Sequence, residues 1–121
     1  MSIFKDQEQF MTACDQTVNE YNTSQFALYY NLIKEEFDEL TEAYENNDQV
    51  ETLDALIDIL VVTAGAIHSA GFDGEGAWDE VMRTNFAKID AVTGKVRKRE
   101  DGKILKPDDW KAPELNPFLV K

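Results

Sequence analysis

Two short stretches of this chain concentrate carboxylates at spacings that chemistry can use. The first is Glu35, Glu36 and Glu39, an E-E-x-x-E pattern. Residues three apart on a helix lie one above the other, so Glu36 and Glu39 would share a face. The second is Glu51, Asp54 and Asp58, spaced three and four apart, an acidic stripe on an otherwise apolar segment. Burying lone carboxylates is costly, and crowding like charges drives protons back onto them. A divalent cation removes both penalties. Mg²⁺ takes oxygen ligands in octahedral array, commonly a few carboxylates with water and substrate phosphates. Two antiparallel helices turning these acids toward each other would build such a site.

A plainer reading stands beside this one. E-E-x-x-E on a surface helix is ordinarily a solvated face, and Glu51 alone reads as a cap residue. Glu42 and Glu45 read as solvated. Asp54 and Asp58 resist that reading, because their helix has no polar face to put them on. The stripe continues to Val62 and Gly65, where the missing side chain predicts open ground. A di-iron bundle would need two Glu-x-x-His pairs. The single histidine, His68, has Gly65 three residues before it, so that rival fails on residue types. His68 reads as a helix-end residue.

The elements that must position these acids follow from apolar periodicity. A first helix is predicted over about 5–19, with Phe10, Met11, Cys14 and Val18 on one face. Asn22-Thr23-Ser24 breaks it and supplies a cap. A second runs over about 25–45, with Phe26, Tyr29, Tyr30, Ile33, Phe37, Leu40 and Tyr44 at 3.6-residue spacing. Glu36 and Glu39 flank that stripe at the edge of the core. Asp48 with Glu51 three residues on resembles a capping box and opens a third helix over about 49–69. That helix is apolar almost all round, through Leu53, Leu56, Ile57, Ile59, Leu60, Val61, Val62 and Ile67. Such a helix belongs in the middle of a bundle or an oligomer. A fourth is predicted over about 75–90, with Trp78, Val81, Met82, Asn85 and Ile89 on one face. One all-α domain over 1–121 is expected, a four-helix bundle (about 5–91) completed by oligomerisation and followed by a basic extension (about 92–121). A short hairpin is expected between Val96 and Ile104, and an extended arm from Pro107 that carries Trp110.

The extension supplies the positive counterpart. Asn85 and Lys88 lie on adjoining turns, and Lys95, Arg97, Lys98, Arg99, Lys103 and Lys106 follow. Some could reach phosphates; any single one is as readily a solvated charge. Asn85 falls on an apolar stripe, where its amide needs a partner. No G-x-x-x-x-G-K-[ST] loop is present, which excludes a P-loop enzyme.

Charge narrows the classes further. Twenty-four acidic and 12 basic residues give a net charge of -12, a field that repels duplex nucleic acid and suits a chain that holds cations. Cys14 is the only cysteine, so no intrachain disulfide is possible; it reads as a small core residue of a reduced compartment. The N-terminus shows no basic-then-apolar leader. The longest apolar run, 55–67, is interrupted by Asp58 and too short for a bilayer. A cytoplasmic protein off the membrane is expected.

Taken in order, E-E-x-x-E, then ETLDALIDILVVTAG, a G-F-D linker, N-F-A-K at 85–88 and D-G-K-I-L-K-P at 101–107 resemble the MazG-like all-alpha nucleoside triphosphate pyrophosphohydrolases. They are especially similar to the phosphoribosyl-ATP pyrophosphohydrolase-like branch. The resemblance covers residues from the second helix to about 110. It implies Mg²⁺ (with Mn²⁺ able to replace it), cleavage between the alpha and beta phosphates, pyrophosphate as product, and a dimer or tetramer whose protomers complete the site. Carried over, Glu36 and Glu39 are metal ligands, and Glu35 is a ligand or the base that orients water. Asp58 resembles the acid of the family's E-x-x-D. The match departs there, since Ala55 stands where Glu is expected. Asp54 with Asp58 is favoured because their stripe faces Gly65, and Glu51 remains a candidate behind them. Asn85 and Lys88, with Lys95 and Lys103 from the extension, would hold the nucleotide or its phosphates. Rivals are true phosphoribosyl-ATP hydrolysis and a non-catalytic helical interaction protein on the same fold.

Overall fold

A computed structural model describes residues 2–121. Among them are four α-helices, one 3₁₀ turn at Asn116–Phe118 and no strand, so the chain is all-helical as expected. It divides into two compact units. One runs up to Gly74 and takes in Phe118–Lys121; the other is Glu75–Pro117.

In the first unit α1 spans Ile3–Ala13, α2 Thr23–Glu45 and α3 Gln49–Ser69. Each start is fixed by a side chain that satisfies an orphan backbone N–H. The Ser2 hydroxyl accepts from Lys5 N, Asn22 Oδ1 from Gln25 N, and Asp48 Oδ1 from Glu51 N. The packing is of the bundle kind, α2 against α3 with α1 laid on α3. Met11, Tyr29 and Ala66 form the buried centre, and Val18, Phe26, Leu32, Ile33 and Val62 close around it.

Three expectations are corrected here. The first helix stops at Ala13, not near Asn19. Asp15 and Asn19 take left-handed φ angles of 59° and 68°, and Gln25 binds the backbone of Thr17 on both sides. Its Oε1 accepts from Thr17 N at 2.9 Å and its Nε2 donates to Thr17 O at 2.7 Å. A residue so held cannot continue a helical ladder. Cys14 is exposed rather than in the core, because it caps α1 where the chain turns away. Finally, the ground at Gly65 is not open. A Cβ there would overlap the ring of Tyr29, whose hydroxyl donates to Gln16 Oε1 at 2.6 Å. Gly65 lets α2 and α3 approach closely, so it serves packing and not ligand access.

His68 sits in the last turn of α3, buried, with Nε2 donating to Phe4 O at 2.7 Å. Phe118–Lys121 returns to this unit. Asp73 N donates to Phe118 O, and Lys121 N to Gly71 O. The Lys121 ammonium pairs with Glu8 at 3.2 Å.

The third helix is apolar as expected, but in the single chain much of that surface faces solvent. Leu53, Leu56, Ile57, Leu60 and Val61 are all exposed, as are Tyr30, Phe37 and Tyr44 of the α2 stripe. The residues buried on α3 are mostly small, Ala55, Ala64, Gly65, Ala66 and Ser69, with His68 beside them. No helix of the described residues is long and apolar enough to cross a membrane.

The second unit holds nearly all of α4, Gly74–Phe86, which is shorter than expected. After it, Asp90 Oδ1 accepts from Val92 N and Thr93 N, and Asp90 N donates to Lys95 O. These bonds make a turn over 90–95, and before it Lys88 N and Ile89 N donate only three residues back, to Asn85 O and Phe86 O, where the helix was expected to continue. The expected hairpin is present as a short antiparallel bridge, Lys98 to Ile104. Gly102 turns it at φ 89°, a value that favours glycine. Trp110 is tied back by its Nε1, which donates to Thr84 O at 2.7 Å.

Candidate functional site: acids on two facing helices

Helix α2 carries Glu35, Glu36 and Glu39; helix α3 carries Glu51, Asp54 and Asp58. Because the two helices pack against each other, the acids along their seam feel one another. Glu36 shows this most clearly. It is half-buried, and its Oε2 is shielded from solvent without a hydrogen-bond partner. Burial, the Glu39 carboxylate beside it, and the charges of Asp58 and Asp54 push its pKa up to about 7. Asp58 is raised as well, by burial first and then by Asp54 and Glu39. Glu36, Glu39, Asp54 and Asp58 are therefore one interacting set spread over both helices.

Glu35 is exposed on α2 and is not among the groups that shift Glu36 or Asp58. Glu51 lies in the first turn of α3, its own N–H held by Asp48 Oδ1 at 3.1 Å. It lines a cleft of about 390 Å³ at the α2–α3 turn together with Glu39, Glu42, Asp48 and Asp54. Glu42 is exposed, as expected, and also borders this cleft. Sequence reasoning missed its place at the cleft, although Glu39 and Glu42 repeat the three-residue spacing of Glu36 and Glu39. Ala55, at the position where the E-x-x-D pattern has Glu, is buried at this seam with Ala43, and the carboxylate of Asp54 falls one residue earlier.

The donor set fits a hard divalent cation. All its atoms are carboxylate oxygens, and a solvent-shielded, unpartnered oxygen is among them. Among the described residues no three His, Cys, Asp or Glu side chains are already grouped closely enough to hold an ion. The acids share a seam, and an ion would have to draw them in.

The other expected site residues lie in the second unit. Asn85 finds the partner its apolar stripe demanded. Its Oδ1 accepts from Lys88 Nζ at 3.0 Å, and its Nδ2 approaches Met82 Sδ at 3.7 Å. Lys95 and Lys103 are exposed in the two turns; the hydrogen bonds they make there are through backbone groups. Arg83 is committed to Glu80 through a two-pronged pair at 2.8 and 2.9 Å. The Arg83 guanidinium first, then the N–H of Glu114, hold Glu80 down at about 2.

Comparison with known proteins adds one match. The sequence profile of the family described as phosphoribosyl-ATP pyrophosphohydrolase fits residues 5–85. No curated protein matches the chain.

Proposed function

The chain belongs to the phosphoribosyl-ATP pyrophosphohydrolase family, and is therefore a pyrophosphohydrolase acting on a nucleotide-like substrate; from that premise we propose that it hydrolyses nucleoside triphosphates, ribo or deoxy, to monophosphate and pyrophosphate with Mg²⁺ as cofactor. The observation that carries the metal is the oxygen of Glu36, shut away from water among Glu39, Asp54 and Asp58. Those four carboxylates hold the ion, and Glu51 and Glu42 stand at the cleft beside them. When bound, the ion neutralises phosphate oxygens and lowers the pKa of a coordinated water. Glu35, exposed and outside that set, is the carboxylate free to accept the proton of the attacking water. The water oxygen forms the new bond to phosphorus, the anhydride P–O bond breaks, and pyrophosphate leaves with the electron pair. Lys88, with Asn85 holding its ammonium, and Lys95 and Lys103 of the extension steady phosphate oxygens.

The family description equally supports phosphoribosyl-ATP as substrate. Both reactions cut the same kind of anhydride, so one assay separates them. Pyrophosphate release is followed with Mg²⁺ for each NTP, each dNTP and phosphoribosyl-ATP. Turnover of one or more triphosphates with none of phosphoribosyl-ATP supports the proposal. Turnover of phosphoribosyl-ATP alone replaces it with the second reading, and no turnover of any supports an interaction protein on this fold.

We also propose a cytoplasmic homo-oligomer, a dimer or tetramer. The support is the apolar surface of α3, where Leu53, Ile57 and Leu60 are half or more exposed, or close to it (62%, 50% and 46%). A helix so apolar is stable in water only when something covers it. Light scattering should give a mass at least twice 13.8 kDa. A monomer of that mass at micromolar concentration overturns this assembly.

A further inference from the structure

In the second unit two lysines converge on one ring. The Lys88 ammonium lies 5.2 Å from the centroid of Trp110, and the Lys106 ammonium 4.6 Å. The two charges therefore share one ring. Twice as many acids as bases populate this chain, yet among the described residues neither ammonium is paired with a carboxylate. Ion pairs among the described residues include Arg83–Glu80, Arg99–Asp101 and Lys121–Glu8.

The arrangement is also built rather than loose. The ring is fixed at its edge by the Nε1 bond to the carbonyl of Thr84, itself buried. A turn closed by Trp110 N donating to Pro107 O sets the ring just beyond Lys106. Asn85 Oδ1 takes one N–H of Lys88, which leaves two. The backbone carbonyl of Lys106 accepts from Arg97 Nη2 at 3.3 Å, bringing a guanidinium to the same corner. Two like charges drawn to one indole repel each other, and an oxyanion that accepts from both relieves that repulsion.

The geometry points to a phosphate-chain subsite formed by Lys88, Lys106 and Trp110, with pyrophosphate or the terminal phosphates of a nucleotide as ligand. Lys106 and Trp110 enter here as binding residues, ahead of Lys95 and Lys103. The choice of phosphate over other oxyanions rests on the pyrophosphohydrolase reading; the site itself does not.

The test is a binding titration without turnover. Trp78→Phe leaves Trp110 as the single tryptophan of the full-length chain. That protein, in EDTA at constant ionic strength, is titrated with inorganic pyrophosphate while Trp110 emission is followed. A saturable change is expected. Lys106→Gln and Lys88→Gln should each weaken the apparent Kd by about tenfold, the loss from removing one charge-assisted hydrogen bond. Lys98→Gln, an exposed lysine of the same unit, should leave Kd unchanged, and a nucleoside without phosphates should give no saturable change. No saturation with pyrophosphate, equal weakening by Lys98→Gln, or an equal response to the bare nucleoside overturns the subsite. Assaying the unaltered chain for turnover separates the two proposals. Binding that persists where no substrate is ever hydrolysed sinks the hydrolase and keeps the subsite; hydrolysis without this binding does the reverse.

Discussion

Glu39→Gln and Asp58→Asn should each lower turnover by roughly 100-fold or more while leaving the oligomer intact. Both changes keep side-chain size and remove a charge. Neither touches the apolar surface of α3 or the Met11–Tyr29–Ala66 centre. The residues come from different helices, yet Glu39 is among the charges that raise Asp58, so they act on one region of space. If both hold the same ion, the double variant should be little worse than either single one, because the second change removes a ligand from a site already emptied. Glu42→Gln is unsuitable as a control, since Glu42 lines the cleft with Glu39 and Asp54. Glu45→Gln, in the exposed last turn of α2, is the proper one and should be near neutral. The readout is pyrophosphate release in millimolar Mg²⁺ from the best substrate. Near-normal turnover in Asp58→Asn alone would move the α3 ligand to Asp54 or Glu51. Near-normal turnover in both would reduce the acidic seam to a solvated face.

Where sequence reading succeeded and where it failed has a physical pattern. Helix α3 was placed to the residue, Gln49–Ser69, because an Asp48 cap and an unbroken apolar run leave its limits little freedom. Periodicity carries helices α1 and α4 several residues past their ends at Ala13 and Phe86. The end of α1 is followed by a segment held by a side chain of α2, Gln25 on Thr17, and that of α4 by a turn that Asp90 closes on the residues after it; a periodicity count does not see such bonds. The same holds for Gly65. A glycine beside an acidic stripe reads as room for a ligand, and only the packing reveals that a tyrosine from the facing helix has taken the room.

The acids themselves were legible because charge on an apolar helix has few explanations. Which of them are buried was not. Glu36 and Glu39 are equivalent by spacing, yet Glu36 is half-buried and Glu39 exposed. That asymmetry depends on how α2 is rotated against α3. The aromatic stripe of α2 shows the same limit. Tyr29 is 5% exposed and Tyr44 75%, though both belong to one face of the helical wheel. Likewise the sequence shows Lys106 only as a charge and Trp110 only as part of an arm. Their meeting with Lys88 depends on the turn at 107–110.

Removing metal should make the protein less stable as pH rises, the reverse of the usual behaviour of carboxylates. The sign follows from Glu36. Its pKa in the fold is about 7 against an ordinary 4.5, so the folded state binds the proton more tightly than the unfolded chain does. The stability this contributes is fully present below about pH 4.5 and is lost as pH climbs through 7. Asp58 shifts in the same direction. Glu8, Glu80, Asp90 and Asp101 are lowered instead, and their contributions disappear only as pH falls into the carboxylate range. Between pH 5 and 8 Glu36 therefore sets the slope. In EDTA, Tm measured by circular dichroism should drop by roughly 5–10 °C across that interval. Millimolar Mg²⁺ should restore most of the loss at pH 8 and little at pH 5, because the ion must displace the proton on Glu36 before it can bind. Glu36→Gln carries no proton to lose, so its metal-free profile should be flatter and its Tm at pH 8 higher than that of the unaltered chain. The Mg²⁺ increment should vanish in the same variant. A profile in EDTA that rises or stays level from pH 5 to 8, or a Glu36→Gln protein that still gains from Mg²⁺ at pH 8, would mean that the shielded oxygen of Glu36 belongs to the packing of α2 on α3 and not to a cation site.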